Sequence, residues 1–248
     1  MDHHVTRAEA AEARKLGMHA RADRPRERFA SRESGAPRGW MPPVRIAPQI
    51  EHAAKGGSTA GTVRFEGFAS VTGQFYDMFD MFGPYREQVH VGSFVETLQT
   101  PDLSTPLVLN HDSLRRMALT GNAVSPQELT EVLDGETTGL HVVAPTLQLS
   151  TKFADPDVAY IVPKLESGLV DEMSFRFMIT AGEWNDAFDE FHIHSVDIHR
   201  GDTSIVGYGA NPLTAGGGLR SKGGLSPAAR IALELARAED NRYRDLVL

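Results

Sequence analysis

Apolar and polar residues alternate with a period of two along several short stretches of the chain, a pattern typical of half-buried β-strands. The alternation is clearest at 172–179, where four apolar residues share one face: Met173, Phe175, Phe177 and Ile179. Ser174 and Arg176 lie on the opposite face. We therefore expect the apolar face to seat this strand in the core and to hold Ser174 on rigid backbone beside a groove.

Similar runs predict a series of short strands, which begins near Val63 and Phe65 and continues at 106–111, 117–121, 139–147, 189–198 and 203–208. The aromatic- and Met-rich segment 77–84 is instead typical of a covering loop. Many short strands with few helices favour a mainly β (α+β) domain, a barrel or sandwich with appended helices.

Before the glycine-rich segment at 215–226, helices are predicted at three places. An internal helix is expected at 156–167, because Pro156 suits the first helical position and Gly168 suits the position just past the end. Capping-box spacing in Thr6-Arg-Ala-Glu9 and in Ser93-Phe-Val-Glu96 predicts two further helices, the second of them short.

Composition divides the chain into four parts. Residues 1–60 are predicted to be a flexible arginine-rich arm with a short helix, and 61–214 to be the folded domain. The glycines of 215–226 indicate a linker. Residues 227–248 are predicted to be a C-terminal helix, opened by Ser226-Pro227.

Size and charge narrow the function classes. The chain has 248 residues, a net charge of −8 and no cysteine, so disulfides, thiolate zinc sites and cysteine nucleophiles are excluded. Net negative charge argues against a nucleic-acid binder, because phosphate contacts need a basic face. No apolar run approaches the ~18 residues that a membrane span needs.

Candidate chemistry follows from a histidine, a serine and an acid in that order along the chain. Ser174 is a candidate nucleophile, and His111, at the end of an apolar strand, is a candidate general base. A third group would orient the imidazole. Asp202, flanked by a glycine and a strand, is the preferred candidate; His199 is the alternative. Asp112 is the poorest choice, because consecutive strand residues point apart.

Two further features each leave alternatives open. Arg176 shares a face with Ser174, so it is suited either to supporting an oxyanion or to an ordinary surface ion pair. His192 and His194 share a strand face, and two-residue spacing can serve zinc, although His199 falls on the other face unless a bulge intervenes. A zinc-dependent hydrolase is therefore a minor alternative, and we expect no metal and no other cofactor.

Six short pieces, in this order, resemble the bacteriophage prohead (capsid maturation) protease family, serine peptidases related in fold to the herpesvirus assemblins. The pieces are Phe65-Glu-Gly-Phe68, Val91-Gly-Ser-Phe94, Leu109-Asn-His-Asp112, Thr138-Gly-Leu140, Met173-Ser-Phe-Arg-Phe177, and Asp202-Thr-Ser-Ile-Val206 leading to Ala210-Asn-Pro212. The resemblance covers about 62–213.

The resemblance implies a closed, mostly antiparallel β-barrel with a few helices around it. It implies Ser174 as the nucleophile, His111 as the base and Asp202 as the third member of the triad. The family usually has glutamate at the last position, and the alignment to Asp202 needs a longer turn. The assemblin relatives use a second histidine there, which keeps His199 as the alternative. Arg176 stands where the family often has glycine.

The function implied is a serine endopeptidase of the Ser-His-Asp type, which acts inside the viral prohead in the host cytoplasm. Its expected partners are the scaffold protein or a scaffold-like segment of the major capsid protein, and it is expected to cut itself. Relatives among the assemblins are activated by dimerisation, so a homodimer is considered, although no patch in the sequence demands one. A non-catalytic assembly or scaffold module with the same fold is the alternative from another class.

Overall fold

The computed structural model describes residues 5–17, 29–30, 48–57 and 59–214. The predicted linker at 215–226 and the predicted C-terminal helix lie outside the described residues. Three α-helices are described, α1 (Arg7–Gly17), α2 (Val95–Leu98) and α3 (Pro156–Glu166), together with a 3₁₀ helix at Pro212–Thr214. None of these helices is long and apolar enough to cross a membrane.

Strands dominate the described chain. In chain order they are β1 (Phe29–Ala30), β2 (Gln49–His52), β3 (Thr62–Val71), β4 (Phe75–Asp80), β5 (Gly83–Val89), β6 (Pro106–Leu109), β7 (Asp112–Thr120), β8 (Pro126–Val132), β9 (Gly139–Gln148), β10 (Glu172–Trp184) and β11 (Glu190–Val206). All eleven join one sheet, in the order β1-β4-β5-β11-β6-β7-β8-β9-β3-β2, with β10 also paired to β11. The prediction of a mainly β domain with few helices is confirmed.

The sheet is mixed, although antiparallel pairs prevail. Among the described residues, β11 runs parallel to β5 and to β6, and β7 runs parallel to β8. The long strand β11 organises this region. Because Ile193 and Thr203 each pair with β10 as well, β10 must lie along one edge of β11, and β5 and β6 along the other. Closure of the sheet into a barrel stays a prediction.

Two strand predictions need correction. The separate strands expected at 189–198 and 203–208 are parts of the single strand β11. The segment 77–84, expected to be a covering loop, belongs to the β4–β5 hairpin, in which Asp80 pairs with Gly83. Alternate residues of β4 are buried, so Tyr76 and Met78 pack into the core from one face of the strand.

The helix at 156–167 is confirmed as α3. The carboxylate of Asp155 caps its first turn by accepting from the backbone N–H groups of Asp157 and Val158. Gly168, past the helix end, has a φ of +70°, which glycine adopts without strain.

The capping box at Thr6–Glu9 is also confirmed. The Thr6 hydroxyl accepts from the Glu9 N–H, and the Glu9 carboxylate accepts from the Thr6 N–H. The box expected at Ser93–Glu96 is wrong: the Ser93 hydroxyl donates to backbone carbonyls, and Glu131 from β8 accepts from the Gly92 and Phe94 N–H groups instead.

The sheet extends into the stretch predicted as a flexible arm. Residues 49–52 form β2, which pairs antiparallel with β3. Helix α1 is tied down by Arg14, which is fully buried, donates to both carboxylate oxygens of Asp80 and lies over the rings of Tyr85 and Trp184. An arginine buried in this way needs its hydrogen bonds satisfied, and carboxylate and backbone carbonyl groups supply the acceptors.

The largest buried cluster includes residues of β3, β9 and β11 together with four residues of α3, which are Val158, Ile161, Val162 and Leu165. On β10, Met173 is fully buried, and Phe175 and Phe177 are partly buried and stack on one another at 4.2 Å between ring centroids. The predicted apolar face of this strand is therefore confirmed. Because Ser174 and Arg176 alternate with these residues, β10 presents both to the opposite face.

Candidate active site

His111 occupies a two-residue turn between β6 and β7. Leu109 pairs with Asp112, and the two residues between them, Asn110 and His111, have φ of +49° and +55°. A two-residue hairpin with both φ positive has the twist that suits antiparallel strands. Asparagine adopts this conformation readily, whereas histidine does so at a cost on the order of 1 kcal/mol. Surrounding contacts must therefore hold His111 in place.

Three hydrogen bonds to backbone groups hold this turn. The Asn110 N–H donates to the Ile205 carbonyl at 3.0 Å. The His111 N–H donates to the Ser204 hydroxyl at 2.9 Å, and the His111 carbonyl accepts from the Arg176 guanidinium at 3.1 Å. The turn is thus tied to both β10 and β11.

The imidazole of His111 lies against a carboxylate. Its Nδ1 is 2.6 Å from Oδ1 of Asp202, whose side chain is only 5% exposed, while that of His111 is 28% exposed. A carboxylate accepts, so Nδ1 carries the proton and Nε2 is left as the acceptor of the neutral ring. Among the described residues, Nε2 has no hydrogen-bond partner. The structure thus brings together two of the residues that the sequence singled out.

Ser174 lies on the strand next to this pair. In the β10–β11 register, Ser174 is opposite Ser204 and Arg176 is opposite Asp202. Register partners point to the same face of a sheet, so Ser174 shares a face with Asp202. The Ser174 hydroxyl is half-buried and makes no hydrogen bond with any described residue, His111 included.

A bulge in β11 brings Asp202 to this face. Arg176 pairs with Asp202, whereas Met178 pairs with Asp197, so β11 carries extra residues between these two pairs. Arg200 has a φ of +59°, and a Cβ on Gly201 would lie 2.0 Å from the Arg176 carbonyl oxygen. Only glycine allows the two strands this approach. The longer turn expected before Asp202 is this bulge.

The other candidates lie elsewhere. His199 Nδ1 accepts from the Ser104 N–H at 3.3 Å, so its ring faces the segment before β6. Asp112 accepts from the Leu114 N–H on the surface. Arg176 is 59% exposed, and its Nε is 3.8 Å from Oδ2 of Asp202. It therefore engages the turn and the carboxylate, and its oxyanion role stays a prediction.

The histidine pair considered for zinc belongs to a larger cluster. His90, which follows β5, lies 3.0 Å from His192 (Nε2 to Nδ1), and its ring centroid is 4.5 Å from that of His194, with the two rings tilted by 50°. Burial first, and then the neighbouring histidines, lower the pKa of His90 and of His192. No group of three or more His, Asp or Glu side chains within the described part of the chain is arranged to hold a metal. Sequence reasoning missed His90, which is remote from the pair along the chain.

Comparison with known families decides the class. The family model described as caudovirus prohead serine protease matches residues 49–217, more than half of the chain. The chain belongs to the caudovirus prohead serine protease family. Neither the curated proteins nor the solved structures that were compared with the chain contain a match.

Membership of this prohead protease family makes the protein a serine peptidase with a role in capsid maturation, whose partners include capsid or scaffold proteins. The matched segment begins at residue 49, where β2 begins, so the family region includes β2, the strands that carry Ser174 and Asp202, and the turn that carries His111.

Proposed function

We propose that the protein is a prohead maturation endopeptidase that removes the scaffold protein, or a scaffold-like segment of the major capsid protein, and also cuts itself. Ser174 is the nucleophile, His111 the general base and Asp202 the residue that orients the base. The observation that carries this proposal is the 2.6 Å hydrogen bond between His111 and the buried Asp202, one strand away from an unengaged serine hydroxyl on the same face.

The spacing of the strands supports a contact between the two reacting groups. Ser174 is opposite Ser204, which pairs on its other edge with Val108 of β6, two residues before the turn. Strands β10 and β6 are thus two interstrand spacings apart, roughly 10 Å. The side chains of His111 and Ser174 are long enough together to span this distance if they lean toward each other over β11. Nε2 of His111 would then face Oγ of Ser174.

Bond changes follow from these positions. Ser174 Oγ attacks the scissile carbonyl carbon as its proton passes to His111 Nε2, which gives a tetrahedral oxyanion. The imidazolium then returns that proton to the leaving amine, the C–N bond breaks, and an acyl-enzyme remains. Water repeats the sequence: it gives a proton to Nε2, attacks the ester, and releases the acid with Ser174 reprotonated. Asp202 stabilises the imidazolium in both halves.

A closed barrel is part of this proposal, because closure would fix β10 from its second side. A close approach of β3 to β10 supports it: a Cβ on Gly67 would lie 2.6 Å from the sulfur of Met173, so glycine is needed where these strands pack. The assembly expected from the resemblance is also proposed here, with the enzyme enclosed in the prohead in the host cytoplasm.

Mass spectrometry of the major capsid protein, co-expressed with the protease and with scaffold, tests this function. The wild type is expected to yield a truncated capsid protein or a degraded scaffold, and Ser174→Ala to leave both intact. Thr180→Ala is a matched control, because Thr180 also lies on β10 and, among the described residues, its hydroxyl bonds only to Ser195. If Ser174→Ala processed these proteins at the wild-type rate, the assignment of Ser174 as the nucleophile would be refuted.

A further inference from the structure

Ser204 lies between the strand of the candidate nucleophile and the turn of the candidate base. It is fully buried on β11, directly opposite Ser174 in register. Its hydroxyl accepts the His111 N–H at 2.9 Å and lies 3.3 to 3.4 Å from the carbonyl oxygens of Ile205 and Val108. A hydroxyl has one proton to donate and two lone pairs, so it satisfies the His111 N–H while it donates to one of these carbonyls.

The bond to Ser204 complements the bond to Asp202. The two residues are two positions apart on β11 and face the same side, so their side chains are about 7 Å apart along the strand. Asp202 holds the ring of His111 and Ser204 holds its backbone. The bond to Asp202 fixes the ring at Nδ1 but not the backbone from which the ring projects, and the bond to Ser204 is made by the backbone N–H of His111 itself. Two contacts on one rigid strand set both the position of the turn and the direction of Nε2.

Strain makes the backbone contact more important. His111 has a positive φ that a non-glycine residue disfavours, so its turn relaxes unless neighbouring groups oppose the change. If the Ser204 hydroxyl is removed, the His111 N–H loses its acceptor in a partly buried place. The turn is then expected to rotate so that the His111 N–H reaches water, and the imidazole ring moves with the backbone.

We propose that Ser204 is a positioning residue of the peptidase, one that aims the His111 imidazole at Ser174 through the backbone of the turn. This proposal rests on the proposed role of His111 as base. Ser204 acts through His111 and does not meet the substrate, because it is fully buried. Small displacements of a catalytic group are costly, with about 10²-fold in rate for roughly 1 Å.

The kinetic test compares substitutions at Ser204. Ser204→Ala and Ser204→Cys are expected to lower kcat by about 10- to 100-fold with KM within twofold, and Ser204→Thr, which keeps the hydroxyl, to restore kcat to within about fivefold of the wild type. Thr203→Val is the matched control. It removes a buried hydroxyl from the adjacent position of β11, where the hydroxyl bonds to Pro106 and Gln127 and not to the turn. Its kcat is expected to equal that of the wild type.

A second readout does not depend on activity. In the NMR spectrum of the wild type, the Nδ1 proton shared by His111 and Asp202 is expected to be shifted far downfield. Ser204→Ala is expected to weaken or broaden this signal, and Thr203→Val to leave it unchanged. An unchanged signal together with unchanged kcat in Ser204→Ala would overturn the proposal. Because the signal is read without substrate, it separates a failure of Ser204 as a positioning residue from a failure of the peptidase function, which Ser174→Ala reports.

Discussion

Replacing Asp202 with asparagine isolates the electrostatic part of the candidate triad. The substitution keeps the shape of a side chain that is almost completely buried and removes its charge. It also places an amide, which presents a donor as readily as an acceptor, against His111 Nδ1. If the amide donates, the ring adopts the other tautomer and Nε2 carries the proton, so it can no longer accept from Ser174.

The size of the effect follows from the position of the pair. Because the His111 side chain is 28% exposed and Asp202 is buried beneath it, a near-surface effective dielectric applies. Two unit charges about 4 Å apart then interact by about 4 kcal/mol. Since 1.36 kcal/mol corresponds to a factor of ten in rate, the loss of this stabilisation of the imidazolium lowers kcat by about 10³-fold.

The assay measures the cleavage rate of a peptide that spans the processing site, once mass spectrometry of the capsid protein has located that site. Asp112→Asn is the matched control, because Asp112 adjoins His111 but its carboxylate bonds to Leu114 on the surface; it should cost less than threefold. His199→Gln should also keep most activity. The reasoning is refuted if Asp202→Asn retains more than a tenth of the wild-type kcat, and His199 becomes the third member if His199→Gln is the inactive variant.

Two further predictions concern stability. Gly201→Ala should lower the free energy of unfolding by several kcal/mol, because its Cβ would lie 2.0 Å from the Arg176 carbonyl, whereas Gly207→Ala, with open space around it, should be nearly neutral; equal midpoints in urea would contradict this. The lowered pKa values of His90 and His192 mean that the unfolded chain takes up protons first as pH falls below about 6.5. Stability should therefore be full above pH 6.5 and decline below it, and His192→Gln should make that decline shallower in thermal unfolding scans at pH 5 to 7; an unchanged slope would contradict the prediction.

Patterns of neighbouring residues correctly predicted those strands and helices that are determined by short stretches of sequence. The alternation around Met173 and Phe175 located β10, and the proline and glycine at the ends of 156–167 located α3. The sequence of the β4–β5 hairpin is typical of a loop because apolar residues occupy both faces of β4, Tyr76 and Met78 on the buried face and Phe75 and Phe79 on the other, which hides the alternation that burial reveals.

The residue types of the candidate site and their order along the chain were predictable from the sequence. The backbone contacts that hold these residues in place were not. His111 and Asp202 lie 91 positions apart, and only the motif order suggested that they meet. Nothing along the chain indicated that Ser204 accepts from the His111 backbone, because that contact depends on the parallel pairing of β6 with β11. The bulge at Gly201 was foreseen only as extra length, since its geometry is set by β10.

The central claim, that His111 activates Ser174, is tested most directly by a fluorophosphonate probe applied to assembling proheads, with the adduct located by tandem mass spectrometry. We expect the adduct on Ser174 in the wild type, and none in His111→Ala under the same conditions. An adduct on another residue, or capsid protein that is still cleaved while Ser174 stays unlabelled, would contradict it.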